Sequence, residues 1–410
     1  MDAHLDLLAR LAQDNASKIV LLVLDGVGDL RTASQPQTAL EQARIPNLDL
    51  LATGGSLGRL VPVATGITPG SGPGHLGLFG YDPTLPEVDI GRGVLEALGL
   101  GLEVRPGDVA VRGNFATANA DGQLTDRRAG RIPTSECERL CAMLQKALDG
   151  ADLGDVRVEI HAGEAHRFVL LLRGDGLHPG LADTDPQKLD VPPLEPRAVG
   201  DDPEAASTVD LVQRVVGLFE QTLRDEPQAN RVLLRGFSKP PHLPSMPELY
   251  RMRCGAFAGY PLYRGVAGAC GMDVVPCGKR IADILDAVAE HWDDFDFFFL
   301  HVKQTDQAGE DGNLAAKVEV LEEVDAVMPR LMELGPDVLA ITGDHSTPAP
   351  MAAHSWHPIP LLVHGELAFV DAAESFDELQ CQGGALGTIP SRELVGLLLA
   401  HAHRLKKFGA

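Results

Sequence analysis

Three continuous apolar runs, each followed closely by an aspartate, constrain this chain of 410 residues more than any other feature of its sequence. The runs are Lys18–Leu24, Asp296–Val302 and Asp337–Thr342. Unbroken apolar runs are typical of strands that are buried on both faces, as in parallel sheets. Asp25, Asp306 and Asp344 come after them. Because open α/β sheets bind ligands beyond the carboxyl ends of their strands, we expect these three carboxylates to converge at one edge of one sheet.

Helical patterns alternate with these strands, which indicates an α/β layered fold. Amphipathic periodicity predicts helices over Lys279–Trp292, Leu314–Leu334 and Ser391–Arg404. The middle of the chain differs, because residues 156–172 have a hairpin pattern and residues 173–206 lack clear periodicity. We therefore predict a core formed by residues 1–110 and 246–410, with a smaller α+β domain inserted at 111–245.

The charge balance excludes several classes of partner. The chain carries 35 basic and 58 acidic residues, a formal net charge of -23. A surface this negative repels phosphate backbones and anionic lipids, so neither nucleic acid nor a membrane is expected as a partner. The six cysteines are scattered without a C-x-x-C pair, which favours free thiols and a reduced, cytoplasmic location. Self-association as a homo-oligomer is left open.

Metal-ligating residue types surround the three aspartates. Glu310 follows Asp306 by one helical turn. His345 comes directly after Asp344, and His354 lies shortly beyond it. Several carboxylates at one place do not all stay ionised without positive charge, and divalent cations usually supply it. Mixed carboxylate and imidazole ligands suit Mn²⁺ or Zn²⁺, and enough are present for two ions.

Each of these residues also has a purely structural interpretation. An aspartate after a strand is often only a helix cap or a turn residue. His357 precedes a proline and His301 lies inside an apolar run, so both are predicted to support the fold or to orient ligands. The metal prediction therefore depends on the whole constellation.

A serine in a glycine-rich loop is the candidate nucleophile. Residues 68–80 read TPGSGPGHLGLFG, and the apolar LGLFG at their end predicts the start of a helix. Backbone N–H groups and a helix dipole near Ser71 would stabilise a phosphoryl group on its oxygen. A metal would lower the pKa of the hydroxyl and make it nucleophilic. The structural alternative is that Ser71 only caps the helix.

Three arginines within five residues indicate an anion site in the middle of the chain. They are Arg127, Arg128 and Arg131. Guanidinium groups bind carboxylate or phosphate through paired hydrogen bonds. Further candidate members come from the segments Gly113–Thr117, Glu164–Arg167 and Arg235–Gly236. The structural alternative is a solvated basic patch.

Seven motifs spread over nearly the whole chain carry a resemblance to a known family. They are LDGVGD at 24–29, PGSGPGHLGLFGYDP at 69–83, GRGVLEALG at 91–99, GDVAVRGNFAT at 107–117, DRRAGRI at 126–132, VKQTDQAGEDGN at 302–313 and ITGDHSTP at 341–348. Together they make the chain similar to the cofactor-independent phosphoglycerate mutases of the archaeal type, in the alkaline phosphatase superfamily. The resemblance implies an alkaline-phosphatase-like three-layer α/β core with a mostly parallel sheet, an inserted substrate domain, two divalent cations and no 2,3-bisphosphoglycerate.

The resemblance also implies roles for individual residues, with Ser71 as the nucleophile. One metal site would consist of Asp25, Ser71, Asp344 and His345, and the other of Asp306, Glu310 and His354. The candidate substrate-binding residues are Arg127, Arg128, Arg131, Lys303 and His75. Lys303 would lie near the phosphoryl group or the leaving oxygen, and His75 would contact phosphate or carboxylate.

The chain departs from the family pattern at two positions. Many relatives have His where this chain has Glu310, which is a harder and anionic ligand. We therefore expect a preference for Mn²⁺ or Mg²⁺ over Zn²⁺. Relatives often have Asp where Gly72 follows the serine, so one acid–base group is absent here.

The implied reaction is the interconversion of 3-phosphoglycerate and 2-phosphoglycerate through a phosphoserine intermediate. Two successive transfers through Ser71 avoid a strained direct migration between neighbouring hydroxyls. The alternative is a related metal-dependent phosphotransferase or phosphatase, including a homoserine kinase-like activity. A non-catalytic metal- or phosphate-binding protein would not need the serine, so the sequence favours an enzyme.

Overall fold

The chain divides into two compact units in the computed structural model, which describes residues 3–200 and 202–409. Met1–Asp89 together with Leu243–Ala410 forms the core unit, and Ile90–His242 forms the inserted unit. The inserted unit therefore begins at Ile90 rather than at residue 111, where the sequence places the boundary. The upstream boundary was missed because the residues after 90 show no change of composition.

The strands and helices have the following bounds within the described residues. The strands are β1 Ile19–Leu24, β2 Ser56–Val61, β3 Val109–Ala118, β4 Leu124–Asp126, β5 Arg157–Ala162, β6 Arg167–Arg173, β7 Arg231–Ser238, β8 Cys254–Ala258, β9 Asp273–Val274, β10 Phe297–Val302, β11 Val338–Thr342, β12 Ile359–Gly365 and β13 Gly387–Pro390. The helices are α1 Ala3–Leu11, α2 Ala39–Gln42, α3 Pro46–Thr53, α4 Ser71–Leu78, α5 Arg92–Gly99, α6 Thr134–Asp149, α7 Ala206–Thr222, α8 Met246–Tyr250, α9 Pro261–Ala269, α10 Ile281–Glu290, α11 Gln304–Glu310, α12 Leu314–Glu333, α13 Glu378–Gly383 and α14 Leu394–His401.

The core unit is built on an eight-stranded sheet with the strand order β13-β2-β12-β11-β1-β10-β8-β9. Strands β11, β1, β10 and β8 run parallel, whereas β12 is antiparallel to both of its neighbours. The three strands predicted from apolar runs are β1, β10 and β11, which lie side by side and are buried along their whole length. The predicted α/β class with a mostly parallel sheet is confirmed.

The three predicted helices of the core unit are present with shorter ends. They are α10, α12 and α14, and the segment Ser391–Glu393 before α14 forms a short 3-10 turn. In the part of the chain that the structure describes, no helix is long and apolar enough to cross a membrane.

The inserted unit has its own five-stranded antiparallel sheet, in which β4, β3, β6 and β5 are neighbours in that order and β7 also pairs with β3. Strands β5 and β6 are the hairpin expected from the sequence. Helices α6 and α7 contribute buried apolar residues to the same hydrophobic core as the sheet. Cys137 and Cys141 on α6 are buried free thiols.

Helix α5 explains why the inserted unit starts before residue 110. A Cβ on Gly93 would lie 2.0 Å from the carbonyl oxygen of Ala110, so only glycine allows this close approach of α5 to β3. The backbone N–H of Val94 also donates to Ser238 Oγ at 3.0 Å. These contacts tie α5 to the inserted sheet.

Helix α4 starts at Ser71, five residues before the LGLFG segment that the sequence predicts as its beginning. Gly70 is the residue before the first turn, and Ser71 itself is the first helical residue, so the interpretation of Ser71 as a helix cap is wrong. The prediction failed because glycines inside a helix usually cost stability. Here they serve packing, since a Cβ on Gly74 would lie 2.4 Å from the carbonyl oxygen of Asp344.

Candidate active site

The carboxyl-terminal edge of the core sheet brings Asp25, Asp306 and Asp344 together. They follow β1, β10 and β11, which are neighbours in the sheet, and all three are fully buried. His345 lies among them. Its Nε2 atom is 3.3 Å from Asp25 Oδ1 and 3.2 Å from Asp344 Oδ2, and its Nδ1 atom is 3.9 Å from Asp306 Oδ1. We call these four residues together with His354 the aspartate cluster.

Two groups of metal-ligating side chains occur in this cluster among the described residues. The first consists of Asp25, Asp344 and His345, and the second of Asp306, His345 and His354. In each group the ligating atoms lie within 4.8 Å of one another. This spacing is short enough for one cation to contact all three side chains of a group.

Unpaired oxygens in the first group fit a bound cation. Asp25 Oδ1 and Asp344 Oδ2 are buried and have no hydrogen-bond partner among the described residues. Buried polar atoms are nearly always paired, so these two oxygens require a positive partner. Two carboxylates and an imidazole are a donor set that Mn²⁺, Mg²⁺ or Zn²⁺ accepts.

Hydrogen bonds hold both histidines in the form that a metal ligand needs. His354 Nδ1 donates to the carbonyl oxygen of Pro69 at 3.0 Å, which leaves its Nε2 lone pair free. The Thr347 hydroxyl donates to Asp306 at 2.6 Å and accepts from His345 Nδ1 at 2.9 Å. The Nε2 atom of His345 is therefore the one available to a cation in the first group.

The first group is ionised despite its burial. Burial alone would raise the pKa of Asp25, but the imidazoles of His301 and His345 and the charge of Lys303 outweigh it and hold that pKa well below its ordinary value. Burial and repulsion from Asp25 also oppose the ionisation of Asp344, yet the nearby imidazoles lower its pKa. Burial would lower the pKa of His345, but the carboxylates raise it to about 9. The group therefore attracts positive charge at neutral pH.

Lys303 contacts one aspartate of each metal-ligating group. Its Nζ atom is 3.3 Å from Asp25 Oδ2 and 2.5 Å from Asp306 Oδ2. Burial would lower the pKa of the ammonium group, but the two carboxylates outweigh burial and raise it. Lys303 is thus a fixed positive charge beside the sheet edge.

Ser71 is the nucleophile candidate closest to this cluster, with its Oγ atom 3.5 Å from His345 Nε2. His75, one turn further along α4, donates from Nδ1 to the carbonyl oxygen of Ser71 at 2.8 Å. The same nitrogen lies 3.2 Å from Asp344 Oδ2. His75 has no exposed surface, and its contact with phosphate or carboxylate stays a prediction. The one-turn spacing places its ring under the serine, where it fixes α4 against Asp344.

Glu310 lies at the margin of the second group and not within it. Its side chain is 53% exposed, and its Oε1 atom is 3.6 Å from His354 Nε2. The His354 ring stacks on that of His345 with a centroid distance of 3.7 Å. Ligation by Glu310 stays a prediction.

The inserted unit contains a cavity of about 350 Å³ that is rich in arginine. We call it the arginine cavity, and its lining residues are Arg112, Asn114, Arg127, Arg128, Arg131, Glu164, Ala165, His166, Arg167 and Arg235. The three arginines of the predicted cluster thus lie together with the other candidate segments, whereas Arg112 was not singled out from the sequence. Six guanidinium groups against one carboxylate favour an anionic ligand.

Two carboxylates behind the cavity orient some of its arginines. Asp185 accepts from Arg127 Nε at 2.8 Å and from Nη2 at 2.7 Å. Arg235 lies 3.4 Å from both Asp183 and Asp185. The sequence did not indicate these partners, because Asp183 and Asp185 lie in the stretch without periodicity.

A strained turn presents the other arginines. Ala129 and Arg131 have positive φ angles of 45° and 53°, a conformation that costs energy for residues with a Cβ. Asp126 holds this turn by accepting from the backbone N–H groups of Arg128 and Gly130, each at 2.7 Å. Strain of this kind is typical of backbone that is fixed for binding.

Comparisons with known proteins agree with the motifs. A model of the family "2,3-bisphosphoglycerate-independent phosphoglycerate mutase" matches residues 52–229. A protein of Thermus thermophilus named as a probable member is 49% identical over 406 residues, which is 98% of each chain. A protein of Aquifex aeolicus with the same name is 48% identical over 414 residues, 99% of this chain and 100% of the relative.

The chain belongs to the 2,3-bisphosphoglycerate-independent phosphoglycerate mutase family. The fold is similar to that of the cofactor-independent phosphoglycerate mutase from Thermoplasma acidophilum, with a TM-score of 0.72, 30% identity and coverage of 94% of this chain and 100% of the other. A structure from Pyrococcus horikoshii matches with a TM-score of 0.80 at 28% identity, covering 97% of this chain and 100% of the other.

This member of the phosphoglycerate mutase family has a buried tyrosine at its cluster that sequence reasoning missed. Tyr263 on α9 stacks on His301 with a centroid distance of 3.6 Å, and His301 Nε2 donates to Asp25 Oδ2 at 3.1 Å. Burial and the charges of Asp25 and Asp344 raise the pKa of the phenol, so it keeps its proton. The sequence offers one indirect indication of this contact. Helix α9 comes directly after β8, and β8 pairs with β10, the strand that carries His301.

A buried lysine also supports the mutase-family cluster. Lys317 on α12 has no exposed surface, and its Nζ atom donates to the carbonyl oxygens of Thr347, Gly26 and Gly28 at 2.9, 3.0 and 3.3 Å. It thereby joins the loop after β1 to the loop after β11. The periodicity of the sequence predicts that Lys317 lies on an amphipathic helix, but it does not indicate that the ammonium group is buried.

Proposed function

We propose that this protein interconverts 3-phosphoglycerate and 2-phosphoglycerate through a phosphoserine on Ser71. The observation that carries the proposal is the convergence of three buried aspartates and His345 beside the Ser71 hydroxyl. The arginine cavity supports it, because the substrate bears both a phosphate and a carboxylate. Membership of the mutase family supports the same reaction.

Two in-line transfers account for the reaction. In the first, Ser71 Oγ attacks phosphorus and loses its proton, while the bond from phosphorus to the glycerate oxygen breaks and that oxygen takes up a proton. In the second, the other hydroxyl of glycerate attacks the phosphoserine, and Oγ regains a proton as its bond to phosphorus breaks. Lys303 keeps a positive charge close to the reacting groups throughout.

Divalent cations held by the aspartate cluster would lower the pKa of the Ser71 hydroxyl and neutralise charge on the phosphoryl oxygens. We assign one cation to Asp25, Ser71, Asp344 and His345, and the other to Asp306, Glu310 and His354. Carboxylates dominate this donor set, so we propose Mn²⁺ ahead of Mg²⁺ or Zn²⁺.

The arginine cavity also bears on the alternative activities. Six guanidinium groups favour a substrate with two anionic groups over a hydroxy amino acid such as homoserine, which has one carboxylate and an ammonium group that they repel. A phosphomonoester acid therefore suits the cavity better than the substrate of a homoserine kinase-like activity. A phosphatase activity would arise from the same serine if water reached the phosphoserine.

The decisive experiment is product analysis after incubation with 3-phosphoglycerate and Mn²⁺. We expect 2-phosphoglycerate in large excess over free phosphate, and one added phosphate on Ser71 in the mass spectrum after brief exposure to substrate. Ser71→Ala should abolish both signals, whereas Thr65→Ala, an exposed position in the same loop, should retain them. Free phosphate as the main product, or turnover by Ser71→Ala, would refute the proposal.

Metal choice has a test of its own. Glu310→His replaces an anionic oxygen ligand by an imidazole, so the ratio of activity with Zn²⁺ to activity with Mn²⁺ should rise. Metal content after dialysis against equal concentrations of both ions should shift in the same direction. An unchanged preference would remove Glu310 from the proposed ligands.

A cytoplasmic location is a further prediction from the sequence, which leaves self-association as a homo-oligomer open. Size-exclusion chromatography with light scattering tests self-association, and cell fractionation tests location.

A further inference from the structure

Two buried polar side chains in the arginine cavity lack partners. Asn114 and His166 are only 8% and 5% exposed, and both line the cavity. Asn114 Oδ1 and His166 Nδ1 have no hydrogen-bond partner among the described residues. Because buried polar groups are nearly always hydrogen-bonded, a ligand of the cavity is the natural source of the missing partner.

Asn114 stands on a strand of the inserted sheet, and His166 stands in the turn before the neighbouring strand. Asn114 is on β3, where it is the cross-strand partner of Arg167 on β6. His166 directly precedes β6, and its carbonyl oxygen accepts from the backbone N–H of Phe115 at 2.8 Å. Both residues therefore line one cavity from backbone that the β3–β6 pairing fixes, which suits a site that must recognise a small ligand accurately.

Their chemistry differs from that of the surrounding arginines. Guanidinium groups only donate hydrogen bonds, so they match the oxygens of carboxylate and phosphate. Burial and the neighbouring arginines lower the pKa of His166 to about 4, so its ring is neutral and one of its nitrogens accepts. The amide oxygen of Asn114 accepts as well. The pair thus offers an uncharged acceptor, Asn114 Oδ1, and a neutral ring nitrogen, which together match a hydroxyl group because a hydroxyl donates one hydrogen bond and accepts others.

We infer that Asn114 and His166 form a subsite that recognises the free hydroxyl of a phosphorylated hydroxy acid. The inference rests on the proposed function and deepens it. In phosphoglycerate the hydroxyl is the one hydrogen-bond donor, whereas the carboxylate and phosphate accept and are matched by the arginines. An ammonium group at the same position would also donate, but the six guanidinium groups of the cavity repel it.

A matched pair of ligands tests the subsite. Binding of 3-phosphoglycerate and of its 2-deoxy analogue, 3-phosphonooxypropanoate, is measured by calorimetry on the full chain with a chelator present, so that no turnover occurs. We expect the wild-type protein to bind the hydroxylated ligand roughly tenfold or more tightly, because the analogue leaves the buried polar atoms of Asn114 and His166 without the hydroxyl that donates to one and accepts from the other. O-phosphoserine, with an ammonium group in place of the hydroxyl, should bind more weakly than 3-phosphoglycerate.

The variants Asn114→Leu and His166→Leu should lower that affinity ratio to below about threefold, with little change in the affinity for the deoxy analogue. Arg131→Gln is the matched control in the same cavity, because losing a guanidinium should weaken both ligands and leave the ratio unchanged. A merely structural role of Asn114 or His166 would likewise change both affinities together. Thermal unfolding of each variant identifies those that fold.

Separate outcomes refute the inference and the proposed function. If the wild-type protein binds 3-phosphoglycerate but the ratio is near one, or is the same in the folded variants, the hydroxyl subsite is refuted and the proposed function stands. If binding of 3-phosphoglycerate requires Mn²⁺, the same ratio is measured with Mn²⁺ in place of the chelator. If the wild-type protein binds 3-phosphoglycerate under neither condition, the proposed substrate is wrong and the subsite falls with it.

Discussion

The aspartate cluster of the core unit and the arginine cavity of the inserted unit differ in charge, in burial and in how their side chains are held. In the cluster, Asp25, Asp306 and Asp344 are fully buried at strand ends and place three carboxylates close together. In the cavity, six guanidinium groups meet one lining carboxylate. One region attracts cations and the other attracts anions.

The difference also concerns rigidity. The side chains of the cluster are fixed by a parallel sheet and by short hydrogen bonds such as that from Thr347 to Asp306. The cavity is held partly by strands and partly by the turn around Arg131, and only some of its arginines are oriented by acidic partners. We propose that the cluster is organised for chemistry at fixed positions, and the cavity for holding a charged ligand. This division predicts that changes in the cluster act on turnover and changes in the cavity act on substrate affinity.

The largest expected effect is that of Asp306→Asn. Loss of this charge weakens cation binding and transition-state stabilisation, which together contribute several kcal/mol, so turnover should fall by about 10³-fold or more. The measurement is the rate of 2-phosphoglycerate formation at saturating substrate and Mn²⁺. Asp311→Asn, an exposed control on the same segment, should keep near-normal turnover. A rise in KM with unchanged kcat for Asp306→Asn would contradict the proposal that the cluster acts on turnover and the cavity on substrate affinity.

The next effect is that of Lys317→Met, which removes the ammonium group that joins the loops after β1 and β11. The carbonyl oxygen of Thr347 then loses the ammonium donor, and those of Gly26 and Gly28 keep the backbone N–H of Thr347 as donor, so the alignment of the two loops weakens. Changes to residues that orient metal ligands typically cost about 10–100-fold in metal affinity or activity. Titration with Mn²⁺ should show this weaker binding, while Lys406→Met, at an exposed position, should bind normally. Equal Mn²⁺ affinity in both variants would show that the two loops keep their alignment without the Lys317 ammonium group.

A smaller effect is expected from Asp185→Asn in the inserted unit. The variant weakens the paired hydrogen bonds that orient Arg127, so the KM for phosphoglycerate should rise by about 3–10-fold with kcat nearly unchanged. Steady-state kinetics in both directions provide the measurement. Asp175→Asn, exposed in the same unit, is the control. If kcat falls and KM stays unchanged, Arg127 takes part in the chemistry. The proposed division between the aspartate cluster and the arginine cavity would then not hold for this residue.

The smallest effect concerns stability rather than activity. Burial raises the pKa of Glu378 in the core unit from 4.5 to about 7. Between these values the folded protein holds a proton that the unfolded chain has lost, so this group stabilises the fold at low pH and its contribution is lost as pH rises through 7. Glu378→Gln should therefore unfold at the same temperature as wild type near pH 5 and be more stable by about 1–3 kcal/mol near pH 8. Parallel pH profiles of the melting temperature would contradict this assignment.

The core sheet and its aspartates could be predicted because their signal is local. A strand that is buried on both faces consists of an unbroken apolar run. In a parallel sheet, the residue after such a run lies at the carboxyl-terminal edge, where ligands bind. This is why Asp25, Asp306 and Asp344 were found together from a single sequence. The candidate nucleophile was found for a related reason, since a serine among glycines is exposed to ligand wherever the helix begins.

Other features depended on tertiary packing and left no local pattern. Helix α4 runs through its glycines because they allow backbone contact with Asp344, and His75 is buried for the same reason. The burial of Asn114 and Lys317 could not be predicted, because the neighbouring residues in the chain do not indicate which groups surround these two side chains. Their partners come from segments far away, and a buried charge or amide is defined by those partners. The sequence by itself therefore determined the strands, the edge and the ligand types, and only the folded structure decided which polar side chains are paired, which are left for a ligand, and which hold the others in place.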